Sequence, residues 1–236
     1  SNSGLLQMNE SAILHNQIKG TTGFAGGLFN DRGAEAVIKN SFFAYNSARF
    51  GAAINNQGQN ETASTGIVSL TNTSFTQHIA TGSGGSTISN RGEMSMIFCT
   101  MAENPGGNQA LGSGGKLEIG HCLITDDVNC SSSFGSLGGN LFSKPNNCGN
   151  LPAALFPEIL SVPVAVSGPT MQGGFTPVMP FRRVEGTSFV YPADTTGGII
   201  QVFTDQRGRG FDRYVDGDGD GKAWPDPGAW EAPKKD

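Results

Sequence analysis

The stretch Leu6–Asn16 (LQMNESAILHN) aligns without gaps on Ala36–Asn46 (AVIKNSFFAYN), Val68–His78 (VSLTNTSFTQH), Met94–Asn104 (MSMIFCTMAEN) and Leu117–Asp127 (LEIGHCLITDD). One column of this alignment holds Leu6, Ala36, Val68, Met94 and Leu117, and a second holds Met8, Ile38, Leu70, Met96 and Ile119. A third is small (Ser11, Ser41, Thr73, Cys99, Cys122), a fourth large and apolar (Ile13, Phe43, Phe75, Met101, Ile124). The last is polar: Asn16, Asn46, His78, Asn104 and Asp127, at intervals of 30, 32, 26 and 23 residues. Apolar positions alternate with period two, slip by one residue, then alternate again. Period two is the signature of a strand with one buried face, and the slip marks a bend between two short strands.

Repeats of this length built from short strands predict coils of an all-β, right-handed, single-stranded parallel β-helix, a solenoid whose inward side chains stack at about 4.8 Å. Gly26–Asn30, Gly51–Asn55 and Gly84–Asn90 supply a third strand per coil, with glycine allowing tight corners. Asn at the corners suits left-handed backbone and hydrogen-bonded ladders, so the polar column reads as a structural ladder; a ligand-binding stripe is the other reading. An antiparallel β-sandwich would explain the short strands but not five columns in register.

Composition agrees. There are 35 glycines in 236 residues, about twice the ordinary frequency of roughly 7%, and charged residues are only 15%. The net charge of −5 and the absence of a Lys/Arg cluster argue against nucleic acid and anionic membranes as partners. No apolar run approaches 18 residues, so no transmembrane helix is predicted. The polar start Ser1-Asn2-Ser3 is no signal peptide and fits a mature or trimmed product.

The repeat stops near Asn150, which divides the chain into coils over 1–150 and a C-terminal cap over 151–236. The cap carries Thr204-Asp205-Gln206-Arg207-Gly208, Val215-Asp216-Gly217-Asp218-Gly219-Asp220-Gly221 and Gly228-Ala229-Trp230-Glu231. Together with the Asn40-Ser-x-Phe-x-x-Asn46 coil, these motifs resemble the bacterial choice-of-anchor Q family, β-helix proteins with repeats similar to those of polymorphic outer-membrane proteins. The resemblance spans nearly the whole chain. Residues 157–203 match only loosely, around Gly173–Pro177 and Thr187–Ala193; Trp230 stands where the family has Phe, and no anchor follows Glu231. It implies an exported protein at the cell surface or outside a bacterium, and it implies no activity.

The alternate carboxylates Asp216, Asp218 and Asp220, separated by glycine, suit a hard cation such as Ca²⁺, with the Lys222 carbonyl and Asp226 or Glu231 as further oxygens. The twelfth position of an EF-hand is Pro227, so this is no EF-hand; a bound calcium would pin the cap. Asp205 and Arg207 are expected to hold the cap together through hydrogen bonds and an ion pair. Cys130 and Cys148 flank a Gly/Ser/Asn-rich loop and fit a loop-closing disulfide worth about 3 kcal/mol. Cys99 and Cys122 stand on successive coils in one inward column; a disulfide and two buried thiols both fit. Disulfides would indicate an oxidising compartment.

No catalytic residues emerge. Asp126-Asp127 are the best carboxylate pair, but strand neighbours point opposite ways. His15, His78 and His121 are dispersed, and basic residues do not cluster on one face. The reading is a non-enzymatic surface or structural protein, in adhesion or extracellular assembly, whose partners are another copy stacked head to tail, another extracellular protein or a surface glycan. The alternative is a polysaccharide-binding or polysaccharide-degrading β-helix.

Overall fold

The computed structural model describes residues 1–20, 22–58, 64–83, 85–105, 109–129, 135–146, 159–160, 164–182, 202–216, 221, 223 and 225–233. Among these there is no helix. The strands assemble into a parallel β-helix with three principal sheets. The front sheet stacks Leu5–Asn9, Glu35–Lys39, Ile67–Thr71, Glu93–Ile97, Lys116–Gly120 and Gly135–Gly138. The flank sheet stacks Ala12–Leu14, Phe42–Ala44, Ser74–Thr76, Thr100–Ala102, Leu123–Asn129, Leu141–Asn146 and Ile159–Leu160. The back sheet stacks Leu28–Asn30, Ile54–Asn56, Ser86–Asn90 and Gln109–Ser113. Every pairing within these three sheets is parallel.

The registers are those of the aligned sequence. Leu6 pairs with Ala36, then Val68, Met94 and Leu117. Ile13 pairs with Phe43, then Phe75, Met101 and Ile124. These columns, with Leu28, Ile54, Ile88 and Leu111 from the back sheet, form one continuous core. Phe43 and Phe75 stack within it at 5.2 Å. At the first rung Leu6, Met8 and Ile13 are only partly buried, and Leu5 is 65% exposed.

The slip in the alternation has a backbone cause. Glu10, Asn40, Asn72, Phe98 and His121 occupy one column and all have φ between 48° and 51°. His15, Tyr45, Gln77 and Glu103 form a second such column, at φ 55–57°. A single left-handed residue turns the chain between front and flank strands and restarts the alternation one residue out of phase. Such φ values are unfavourable for non-glycine residues, so neighbouring rungs must hold each one in place.

At that corner Asn40 donates to Asn9 and Asn72 to Asn40, both at 3.1 Å. Along the back corner Asn2 donates to Asn30, Asn30 to Asn56, Asn56 to Asn90, and Asn90 to Ser113, at 2.8–3.2 Å. The second Nδ2 hydrogen of these residues reaches backbone carbonyls such as Ala34 and Lys116. This ladder pairs Asn30 with Asn56, one residue beyond the strand end read from the sequence at Asn55.

The described parts of the C-terminal segment lie along the outer side of the flank sheet. Phe42, Ala44, Ser74, Thr76, Thr100, Ala102, Leu123 and Leu141 point outward yet are fully buried, because this segment covers them. What reads in the sequence as an end cap is, in these parts, a strap crossing successive rungs. The front strands by contrast alternate between buried and exposed positions.

Candidate functional site

Two places concentrate polar chemistry: the clasp that fastens the strap, and the open front sheet. The clasp is built around Arg213, which is 0% exposed. Its Nη1 donates to the carbonyls of Asp226 and Gly228 at 3.3 and 2.9 Å. Its Nη2 donates to Asn72 Oδ1 at 2.8 Å and to the Ala229 carbonyl at 3.2 Å. The guanidinium lies 4.3 Å over the Phe98 ring, which stacks on His121 at 4.8 Å. One side chain thus ties the strap to the left-handed corners of two successive rungs.

Around it, Arg207 forms a fork with Asp205 at 2.9 and 2.6 Å and donates to the Glu231 carbonyl at 2.9 Å. The Glu231 amide donates back to Asp205 Oδ2 at 2.9 Å. Gln206 accepts from Ser74 Oγ at 2.5 Å and donates to Thr176 and Pro177. Gly228 donates its N–H to the His121 carbonyl at 2.7 Å, and Ala229 donates to Thr100 Oγ1 at 2.8 Å. Gly228 has φ 96°, and a Cβ there would fall 2.6 Å from Thr100 Oγ1 and 2.9 Å from Leu123 Cβ, so only glycine allows this approach. Trp230 packs edge-on against Phe181 at 5.7 Å and donates to Gln172.

Glu231 and Asp226, two of the sequence-derived calcium ligands, sit inside this clasp. Glu231 Oε2 accepts from the Asp226 amide at 2.9 Å and lies 3.5 Å from Arg213. Asp226 Oδ2 accepts from the Ala232 amide at 3.0 Å. Burial, reinforced by the Asp226 charge, pushes the Glu231 carboxyl up to about 9, and Arg213 only partly offsets this. Burial likewise lowers Arg213 from its usual value, against the pull of Glu231. The two shifts together describe a neutral carboxyl beside a charged guanidinium, because desolvation outweighs their attraction. Asp216 Oδ2 accepts from the Gly221 amide at 3.2 Å, closing a short turn; Asp218, Asp220 and Lys222 lie outside the described residues.

The polar column forms a ladder in which each amide donates to the side chain of the next rung. Asn16 N reaches Asn46 Oδ1 at 3.0 Å, Asn46 N reaches His78 Nδ1 at 3.2 Å, and His78 N reaches Asn104 Oδ1 at 3.0 Å. The fifth member is Asp126 and not Asp127: Asn104 donates to Asp126 from its amide and its Nδ2. Met101 pairs with Ile124, but the ladder residue follows Met101 by three positions and Ile124 by two, so an ungapped alignment lands one residue too far, on Asp127. Burial lowers the His78 imidazole to about 4. It is neutral, with Nδ1 accepting from the Asn46 amide.

Cys99 and Cys122 are buried free thiols. Cys122 Sγ accepts from the Cys99 amide at 3.5 Å, so it serves as a ladder acceptor like Ser41 beneath Ser11. Burial pushes the Cys122 thiol well up, which leaves it unreactive. Cys130 and Cys148 lie outside the described residues.

The front face went unnoticed in the sequence, although it is the exposed half of the same alternation. Its outward columns are Leu5, Glu35, Ile67, Glu93, Lys116 and Gln7, Val37, Ser69, Ser95, Glu118. The small Ser69 and Ser95 leave a shallow hollow bordered by Ile67, Glu93, Lys116 and Glu118. Lys116 and Glu118 approach to 3.8 Å. Comparison of the chain with family models, curated proteins and solved structures finds no match.

Proposed function

We propose that this chain is a non-enzymatic, exported bacterial surface protein, a right-handed β-helix that presents its front sheet to a surface glycan or another extracellular protein. The observation that carries this reading is the asymmetry of the faces. The flank sheet is covered by the chain's own strap, whereas the front sheet keeps regular columns of charged, hydroxyl and apolar side chains open across five rungs. Right-handedness follows from the strong preference of parallel crossover connections. The buried histidines favour a structural role, since His78 and His121 are both held near 4 and engaged in the solenoid's own contacts. Calcium, held by Asp216, Asp218 and Asp220 with the Lys222 carbonyl, is proposed to stiffen the loop between Arg213 and Asp226, and Cys130–Cys148 to form a disulfide outside the cell.

Glycan-array binding by the labelled chain, beside a Glu93→Ala/Lys116→Ala/Glu118→Ala variant of unchanged circular dichroism, tests the proposal. Binding that the variant loses supports it. Binding that the variant retains moves the site off the front sheet. No binding, in a chain that light scattering shows monomeric at every concentration, overturns both adhesion and assembly. A second reading rests on Glu93 and Glu118, two carboxylates on adjacent rungs of one hollow, as glycoside hydrolysis requires; release of reducing ends from the bound glycans would establish it.

A further inference from the structure

We infer that the segment carrying Arg213 is an acid-releasable strap, undocked from the flank sheet when His121 beneath it acquires a proton. His121 lies at the strap's landing point. Its carbonyl takes the Gly228 amide, and its ring stacks on Phe98, over which Arg213 is placed. Asn72, which receives Arg213's hydrogen bond, and His121 belong to the rungs on either side of Phe98, and guanidinium and imidazole both lie against that one phenyl ring. From the next rung Gly139 packs so closely that a Cβ there would touch the imidazole at 2.5 Å.

Among the described residues, the strap brings charged groups to this point. They are the cations Arg213 and Arg207, the anions Asp205 and Asp226, and Glu231, which burial keeps neutral. A proton on His121 adds a cation in a buried interface where Arg213 already repels it. Burial first, and then the Arg213 charge, hold the imidazole down at about 4 while the strap is docked. Undocking exposes the ring to water and returns it toward its ordinary value of about 6.5. Protons therefore favour the undocked form as pH falls through this window, by roughly a hundredfold in the docked-to-undocked ratio between pH 7 and pH 4. Release uncovers the apolar outer side of the flank sheet that Trp230 packs against, at Leu123 and Leu141.

The test is hydrogen exchange of the whole chain at pH 7 and pH 4, corrected for intrinsic rates. Strap amides (Gln206, Gly228, Ala229, Glu231) are compared with rung amides (Thr100, Leu123). Protection of the strap is expected to fall about a hundredfold at pH 4 while the rungs keep theirs. His121→Phe and His121→Asn cannot titrate, and both residue types already occupy this left-handed column, so either one that folds should retain strap protection at pH 4. Strap and rungs losing protection together, a strap unchanged at pH 4, or a folded variant that releases like the parent would each overturn the inference.

Discussion

Replacing His78 by Asn separates the two jobs of the polar ladder. Asn stands on the rungs above and below, at Asn46 and Asn104, and its Oδ1 offers the Asn46 amide the acceptor that His78 Nδ1 now supplies. The imidazole is depressed from 6.5 to about 4 because burial penalises its charged form. In the unfolded chain it titrates normally, so the unfolded state binds more protons throughout that interval. The sign follows: His78's contribution is fully present above about pH 6.5 and is lost as pH falls toward 4. Each unit is worth about 1.4 kcal/mol, so from pH 7 to pH 4 this residue alone removes about 3 kcal/mol of stability. The substitution leaves a smaller side chain, at a cost on the order of 1 kcal/mol that does not depend on pH. Guanidinium unfolding of both proteins at several pH values measures the difference in slope. The variant should be somewhat less stable at pH 7 and lose about 3 kcal/mol less on going to pH 4. Parallel stability–pH curves would refute the burial argument for His78.

Other substitutions probe the clasp and the loops. Glu231 is raised to about 9, so its folded form keeps a proton that the unfolded chain loses above 4.5, and stability falls as pH rises through that window; Glu231→Gln should remove about 3 kcal/mol of the loss between pH 6 and pH 8.5 in urea unfolding. Arg213→Met leaves Asn72 and three carbonyls without their buried donor, a loss of about 3–5 kcal/mol, read as a lower Tm. Calcium at a hundred times its Kd should raise Tm by roughly 5–10 °C, and a rise that persists in Asp216→Asn/Asp218→Asn would remove the acidic loop from the explanation. Alkylation of the denatured, unreduced chain should label Cys99 and Cys122 alone, with two further sites appearing after reduction; four labels without reductant would eliminate the Cys130–Cys148 bond.

The solenoid was legible because its core columns repeat the same chemistry at each coil, and the ungapped alignment gave strand registers directly, as with Leu6 through Leu117. Legibility failed where chemistry varies at constant geometry. The left-handed corner is announced by Asn40 and Asn72, but Phe98 and His121 fill the same backbone position, and only their neighbours force them into it. The ladder slid from Asp127 to Asp126 because the fifth rung reaches it one residue sooner than the rungs before, a shift that leaves no trace in composition. Arg213 could not be found at all: it belongs to no repeat or motif, and its partners Asn72 and Phe98 are more than a hundred residues away. The strap's motifs at Asp205 and Glu231 were visible, but that they fasten one another across the flank of the helix depends on a path the chain takes only in three dimensions.

A stack of rungs that touch only their neighbours is a linear chain of weak links, and such an array frays from its ends one repeat at a time. The strap changes that order. By fastening to Asn40, Asn72, Thr100 and His121 on four successive rungs, it adds long-range tethers that must break together before any middle rung can peel away. Under a pull along the helix axis, rungs two to five should therefore yield as one block, at a single high force, where an unstrapped solenoid would unzip in a staircase of small ones.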